Sequence, residues 1–262
     1  PFHFATDGLE NGDIYVSNNG NHSISVLPQP VTAVSRTIQG VATTLNFPTG
    51  LALDSKRDIL YVFDVQAGQG RIKAFHNAST ANGAPAPDRI LTGPFTNLFG
   101  AAYDPVRDRL YAAEAGAHRI LVFEEVSTLS GAVTPTRILA VPGLTDPEGL
   151  FLDVPMQQLH VSSQTSGLKI LGDLDGGGSL LASTTGVTNL RGVTFDPSTG
   201  TAYSSTVNHE VCLFPVAFNP LSLVPTISAN FQHLAGPATL LQGPTGLLIA
   251  PAPPPPPAPR SH

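Results

Sequence analysis

The feature that most constrains this chain is an internal repeat. Tyr15, Tyr61, Tyr111, His160 and Tyr203 follow one another at steps of 46, 50, 49 and 43 residues. Four of them sit in one local pattern: GLALDSKRDILYV at 50–62, GAAYDPVRDRLYA at 100–112, GLFLDVPMQQLHV at 149–161 and GVTFDPSTGTAYS at 192–204. In each, an aspartate (Asp54, Asp104, Asp153, Asp196) precedes the aromatic by seven residues. A glycine opens a short apolar strand. The Asp, with the Pro, Ser or Gly around it, turns the chain and satisfies turn amides, and a second strand carries the aromatic.

A third strand follows each time: ISVL (24–27), IKAF (72–75), ILVF (120–123), LKIL (168–171) and VCLF (211–214). A fourth is legible as RTI (36–38), RIL (89–91) and RIL (137–139). No window sustains the i, i+3, i+4, i+7 apolar stripe of a helix. Four short antiparallel strands in each period of about 40–54 residues make the blade of a propeller. The expected fold is therefore all-β: a five-bladed β-propeller over residues 1–250, with blades opening near 50, 100, 149 and 192, followed by a proline-rich tail at 251–262. That tail, PAPPPPPAPRSH, cannot join a sheet and reads as an extended spacer.

Three segments, NGDIYVSNNGNHSISVL (11–27), AAEAGAHRILVF (112–123) and SSTVNHEVCLF (204–214), resemble the NHL repeat. The resemblance spans nearly all of residues 2–250 and is distantly similar to the gluconolactonase-like propellers. It implies the fold more than a function, since such propellers include binding modules, lactonases, lyases and secreted bacterial proteins.

Two segments compete for one place in the first blade. PTGLLI (244–249) matches PTGLAL (48–53), so the C-terminus is expected to supply the inner strand and close the ring, burying Leu247 and Ile249. FHFATD (2–7), with Phe2 and Phe4, lies at nearly the same offset before Tyr15 and reads as a short cap. Whichever segment is left over has an apolar face to cover, within the chain or on a neighbouring subunit.

Function in a propeller concentrates at the channel mouth, just before the opening glycines. Thr49, Phe99, Glu148, Arg191 and Thr245 are the candidate ligand-binding residues there. Glu148 and Arg191 stand in adjacent blades, either as a simple pair or as a means of orienting a polar ligand. The lactonase resemblance implies a divalent metal held by Glu, Asn and Asp. The corresponding candidates are Glu148 with Asn97 and Asn189, suited to Ca or Mg, with Asp64 and Glu114 at the ends of second strands. The motif spacing of those enzymes is not reproduced. His22, His118 and His209 occupy equivalent turns and read as repeat-derived rather than as a zinc set. GDLDGGGS (172–179) opens like a calcium loop but lacks the downstream Glu. Cys212, the single cysteine, reads as a buried small hydrophobe.

Only 12% of residues are charged, against roughly 25% in an average domain. The three Lys and ten Arg are scattered without a cluster, which argues against a nucleic-acid partner. No apolar run is long enough for a transmembrane helix. A surface of hydroxyls and turns suits a secreted, extracellular or cell-surface protein, with the periplasm as an alternative. The expectation is a non-enzymatic module needing no cofactor, binding protein or itself through strand edges or termini. The rival is a metal-dependent hydrolase or lactonase working around Glu148.

Overall fold

The structure, a computed structural model, describes residues 4–6, 12–28, 33–208, 210–218, 224–228 and 232–234. Among these, five sheets succeed one another along the chain, and the only helical pieces are three-residue 3-10 turns. The first sheet runs Phe4–Thr6, Ile14–Asn18, Ser23–Leu27, Arg36–Gln39. The second runs Pro48–Asp54, Ile59–Gln66, Gln69–His76, Arg89–Thr96, and the third Leu98–Asp104, Arg109–Glu114, Arg119–Phe123, Arg137–Leu139. The fourth runs Pro147–Asp153, Gln158–Ser163, Gly167–Gly172, Ser179–Ser183. In the fifth, Leu190–Asp196, Thr201–Thr206 and the long Val211–Phe218 are followed by two short strands, Pro225–Ile227 and Gln232–Leu234, that both pair with Val211–Phe218. The first four strands of each sheet pair antiparallel in sequence order, as the repeat pattern predicts.

The repeated aspartates do the local work assigned to them. Asp54 accepts from the amides of Lys56 and Arg57, and Asp104 from those of Val106 and Arg107. Asp153 accepts from the Met156 amide and Asp196 from that of Ser198. Each carboxylate satisfies donors that the tight turn leaves open.

The core is not central but lies in layers between consecutive sheets. Tyr15, Ile24, Val26 and Ile38 of the first sheet pack on Leu51, Leu60, Val62 and Phe75 of the second. Tyr61, Phe63, Ile72 and Phe95 of the second pack on Leu110, Leu121 and Phe123 of the third. Tyr111, Ile120 and Val122 then meet Leu150, Leu159 and Val161, and Leu168 and Ile170 meet Val193, Phe195 and Phe214. Interior strands are thereby buried on both faces, so Arg109–Glu114 and Gln158–Ser163 are buried at every position. Both therefore bury polar side chains as well as apolar ones, among them Glu114, His160 and Ser162.

The sheets meet most closely at the opening glycines. A Cβ on Gly50 would fall 2.0 Å from the Phe99 carbonyl oxygen, one on Gly100 2.6 Å from that of Glu148, and one on Gly149 2.4 Å from that of Arg191. Each glycine thus lies against the backbone of the next inner strand.

One expectation is corrected. The inner place of the first sheet is taken by Phe4–Thr6, which pairs with Ile14–Asn18 in the register Phe4↔Val16, Ala5↔Tyr15, Thr6↔Ile14. The segment is therefore an inner strand and not a cap. A segment joined by a short loop closes that hairpin at far lower entropic cost than one more than two hundred residues away. Phe2, Leu247, Ile249 and the tail lie outside the described residues. A second feature was not expected: the outer strands of two sheets are overlaid, in parallel, by a segment of the following repeat. Gly83 bridges to Ile38, and Gly131–Ala132 pairs with Leu91 and Thr92.

His160 stands where the other repeats carry tyrosine. It is fully buried, stacked 4.7 Å from the Phe195 ring and edge-on to Phe151. Neither ring nitrogen has a hydrogen-bond partner among the described residues. Burial lowers its pKa from near 6.5 to about 4. The unfolded chain therefore takes up the proton first. Stability is full above about pH 6.5 and falls as pH drops toward 4, by on the order of 3 kcal/mol. Urea denaturation across this window is expected to show that loss in the parent. A His160→Phe variant should lack this component, and an unchanged pH dependence would refute the assignment.

Candidate functional site

Each of the later inner strands is preceded by a residue in left-handed backbone: Asn97 (φ 46°), Asp146 (φ 42°) and Asn189 (φ 65°). Asn and Asp tolerate this region better than other side chains. Their carbonyls accept from the amides of Ala115, Gln164 and Val207, which fixes how the chain enters the sheet. Two residues further on, Phe99, Glu148 and Arg191 occupy equivalent positions, with Thr49 their counterpart in the second sheet.

These candidates are largely absorbed into the wall. Thr49 is fully buried, and its hydroxyl lies 2.7 Å from the Leu98 carbonyl and 3.2 Å from that of Phe63. Phe99 is half-buried. Glu148 and Arg191 do meet: Arg191 Nη1 donates to Glu148 Oε1 at 2.8 Å, and Gln164 Nε2 donates to the same oxygen. The Glu148 side chain is 3% exposed and that of Arg191 22%. Burial raises the Glu148 pKa, while the Arg191 charge pulls it back. Thr245 lies outside the described residues.

Of the set suggested for a divalent cation, one Glu148 oxygen is already engaged. Glu148 Oε1 carries a guanidinium at contact distance, and a second positive charge beside it is repelled. Asn97 and Asn189 serve the backbone turns, and Asn189 Nδ2 lies 3.4 Å from Thr188 Oγ1. Asp64 and Glu114 are also committed to the framework. Asp64 Oδ1 accepts from the amides of Asn46 and Phe47 at 2.9 and 2.8 Å, and Glu114 Oε1 from that of Thr96 at 2.8 Å. Among the described residues no three His, Cys, Asp or Glu side chains converge as metal ligands would.

The other motifs resolve similarly. His22 and His118 each close a 3-10 turn in left-handed backbone and reach the loop that enters the next sheet. His22 Nδ1 contacts the Asn46 carbonyl, and His118 Nδ1 accepts from the Asp146 amide at 3.0 Å. His209 lies outside the described residues. In GDLDGGGS, Asp173 is in left-handed backbone and its carbonyl accepts from Gly176 and Gly178, while Asp175 pairs with Arg109 at 2.7 Å. Cys212 is buried, which pushes its thiol up to about 11.

Two features escaped the sequence reading. The arginines that open the outer strands tie each sheet to the next. Arg36 donates to the carbonyls of Ala78 and Ala81, Arg89 to those of Val126 and Leu129, and Arg137 to that of Leu174. The recurrent Arg in RTI, RIL and RIL was the available signal. In addition, a groove of about 620 Å³ opens between the first and second sheets, beside the 3-10 turns Asn19–Asn21 and Val41–Thr43.

No family model and no curated protein matches the sequence. Solved structures do resemble the fold. A protein of unknown function from Desulfotomaculum acetoxidans aligns over 87% of this chain and 69% of its own, at 13% identity and a TM-score of 0.60. A chain of the nidogen/laminin complex aligns over 86% of this chain and 84% of its own, at 20% identity and a TM-score of 0.61. A protein from Bacteroides uniformis, provisionally named a 6-phosphogluconolactonase, aligns over 88% of this chain and 73% of its own, at 12% identity and a TM-score of 0.59. At these identities the likeness concerns the fold alone, and it supports a β-propeller.

The Glu148–Arg191 pair links two adjacent inner strands, so breaking it has a defined signature. Arg191→Met leaves a buried carboxylate without its counter-charge and should cost about 3 kcal/mol near neutral pH. The loss should shrink at about pH 4, where a protonated Glu148 no longer needs the guanidinium. Denaturation of Arg191→Met and of Glu148→Gln/Arg191→Met checks this: the double variant should recover most of the loss.

Proposed function

We propose that the chain is a non-catalytic binding module, a five-bladed propeller acting outside the cell or at its surface. The observation that carries this reading is the engagement of Glu148. The acidic side chain best placed for chemistry at the channel mouth is held by Arg191 and Gln164, so it is poorly disposed to ligate a metal or accept a proton from water. The likeness to a chain of the nidogen/laminin complex accords with a role in a protein assembly. The low charge and hydroxyl-rich surface accord with an extracellular setting. Partners, including further copies of the chain, would add at strand edges. The outer strands of the first two sheets are already overlaid, which directs such contacts to Arg137–Leu139 and Ser179–Ser183, where Ile138 and Leu180 are exposed.

The lactonase reading draws on the provisional name of the Bacteroides uniformis structure and on the position of Glu148. Purified protein is to be incubated with aldonolactones, with and without Ca, Mg and Mn. The expected result is hydrolysis no faster than the buffer blank. Metal-dependent turnover abolished by Glu148→Gln would overturn the binding reading.

A further inference from the structure

The groove between the first and second sheets has the construction of a ligand site. Its floor is the loop 40–46, and buried charges hold that loop in place. Lys73 and Asp64 are almost wholly buried and paired at 2.7 Å. Lys73 Nζ also donates to the Thr44 carbonyl, while Asp64 takes the amides of Asn46 and Phe47. The Thr43 hydroxyl binds the Gly40 carbonyl at 2.7 Å, Gln39 Nε2 donates to the Asn21 carbonyl at 2.9 Å, and His22 contacts the Asn46 carbonyl. The walls are thus fixed before any ligand arrives, which reduces the ordering cost of binding.

The repeat itself singles out one residue in this groove. In the third sheet Glu114 and Arg119 are cross-strand partners, and they form an ion pair at 2.6 Å. In the second sheet the same register sets Asp64 opposite Arg71. There, however, the carboxylate is consumed by Lys73 and the two loop amides. Arg71 forms no ion pair or side-chain hydrogen bond among the described residues, is half-buried, and lines the groove. Around it stand the carboxamides of Asn21, Gln39, Asn46 and Gln66, with Val41 and Leu45 as the apolar part of the lining. A guanidinium recognises a carboxylate through paired N–H donors. A primary carboxamide offers both donor and acceptor, as a sugar hydroxyl does. About 620 Å³ lies within the size range of small-molecule sites.

We propose that this groove binds a carboxylated saccharide, with Arg71 on the carboxylate and the surrounding carboxamides on the hydroxyls. The inference rests on the binding-module reading and names a ligand class for it.

The test is an NMR titration of the purified chain with sodium glucuronate, galacturonate and N-acetylneuraminate, against glucose and galactose as neutral controls. At least one acid should shift the amides of 39–46 and 66–71 and bind at least about tenfold more tightly than the neutral sugars. Arg71→Met, with a thermal melt matching the parent, should weaken that binding at least about tenfold, and Arg71→Lys should retain part of it. Lys56→Met, on an exposed turn outside the groove lining, should bind as the parent does. The inference fails if none of the three acids perturbs the groove, or if Arg71→Met binds like the parent. If an acid binds but shifts amides elsewhere and not those of 39–46 and 66–71, the groove assignment falls while the binding-module reading stands; metal-dependent lactone turnover is what would remove that reading instead.

Discussion

The architecture depends on how closely consecutive inner strands approach one another. At Gly50, Gly100 and Gly149 the backbone of the next inner strand occupies the space that a Cβ would fill. Side chains of ordinary size at these positions would push the sheets apart at their inner ends. The inter-sheet layers built from Tyr61, Phe63, Leu121 and Phe123, and their counterparts in the other layers, would then no longer fit together. At the opposite ends of the sheets the arginines opening the outer strands bind carbonyls of the following sheet. Close contact inside and charged tethers outside fix the angle between sheets, and apolar packing fills what lies between.

Much of this was legible because each repeat carries out the same local task with the same residues. The Asp seven residues before the aromatic marks a turn in every case, since the turn needs an acceptor for its amides. The third strands were visible as apolar runs because both of their faces are buried. What was not legible depends on context that no repeat encodes. Phe4–Thr6 lacks the opening glycine of the other inner strands, and Asp7 stands eight rather than seven residues before Tyr15; its place is set by its nearness to Ile14–Asn18 in the chain. The overlays at Gly83 and Gly131–Ala132 carry no strand signal, because a neighbouring outer strand supplies the hydrogen bonds that define them.

The candidate sites show the same division. That Glu148 and Arg191 would be neighbours followed from their equivalent positions in adjacent repeats, and the structure unites them. The groove beside Arg71 could not be read in advance. It arises because Lys73, two positions along the same strand, diverts Asp64 from its cross-strand partner, and only the folded register reveals that Arg71 has lost the role that Arg119 keeps. Repeated residues build the scaffold, and the departures from the repeat are where binding is proposed.

The measurement that bears most directly on this account is the stability of a single variant, Gly149→Ala, by urea denaturation. An added methyl would meet the Arg191 carbonyl and the Val193 amide of the next strand, neither of which can move aside like a flexible side chain. The account predicts a loss of about 1–3 kcal/mol. Gly177→Ala, where a Cβ meets nothing within 4 Å, should stay within about 0.5 kcal/mol of the parent. Equal stability of the two variants would contradict the claim that close approach of the inner strands sets the architecture.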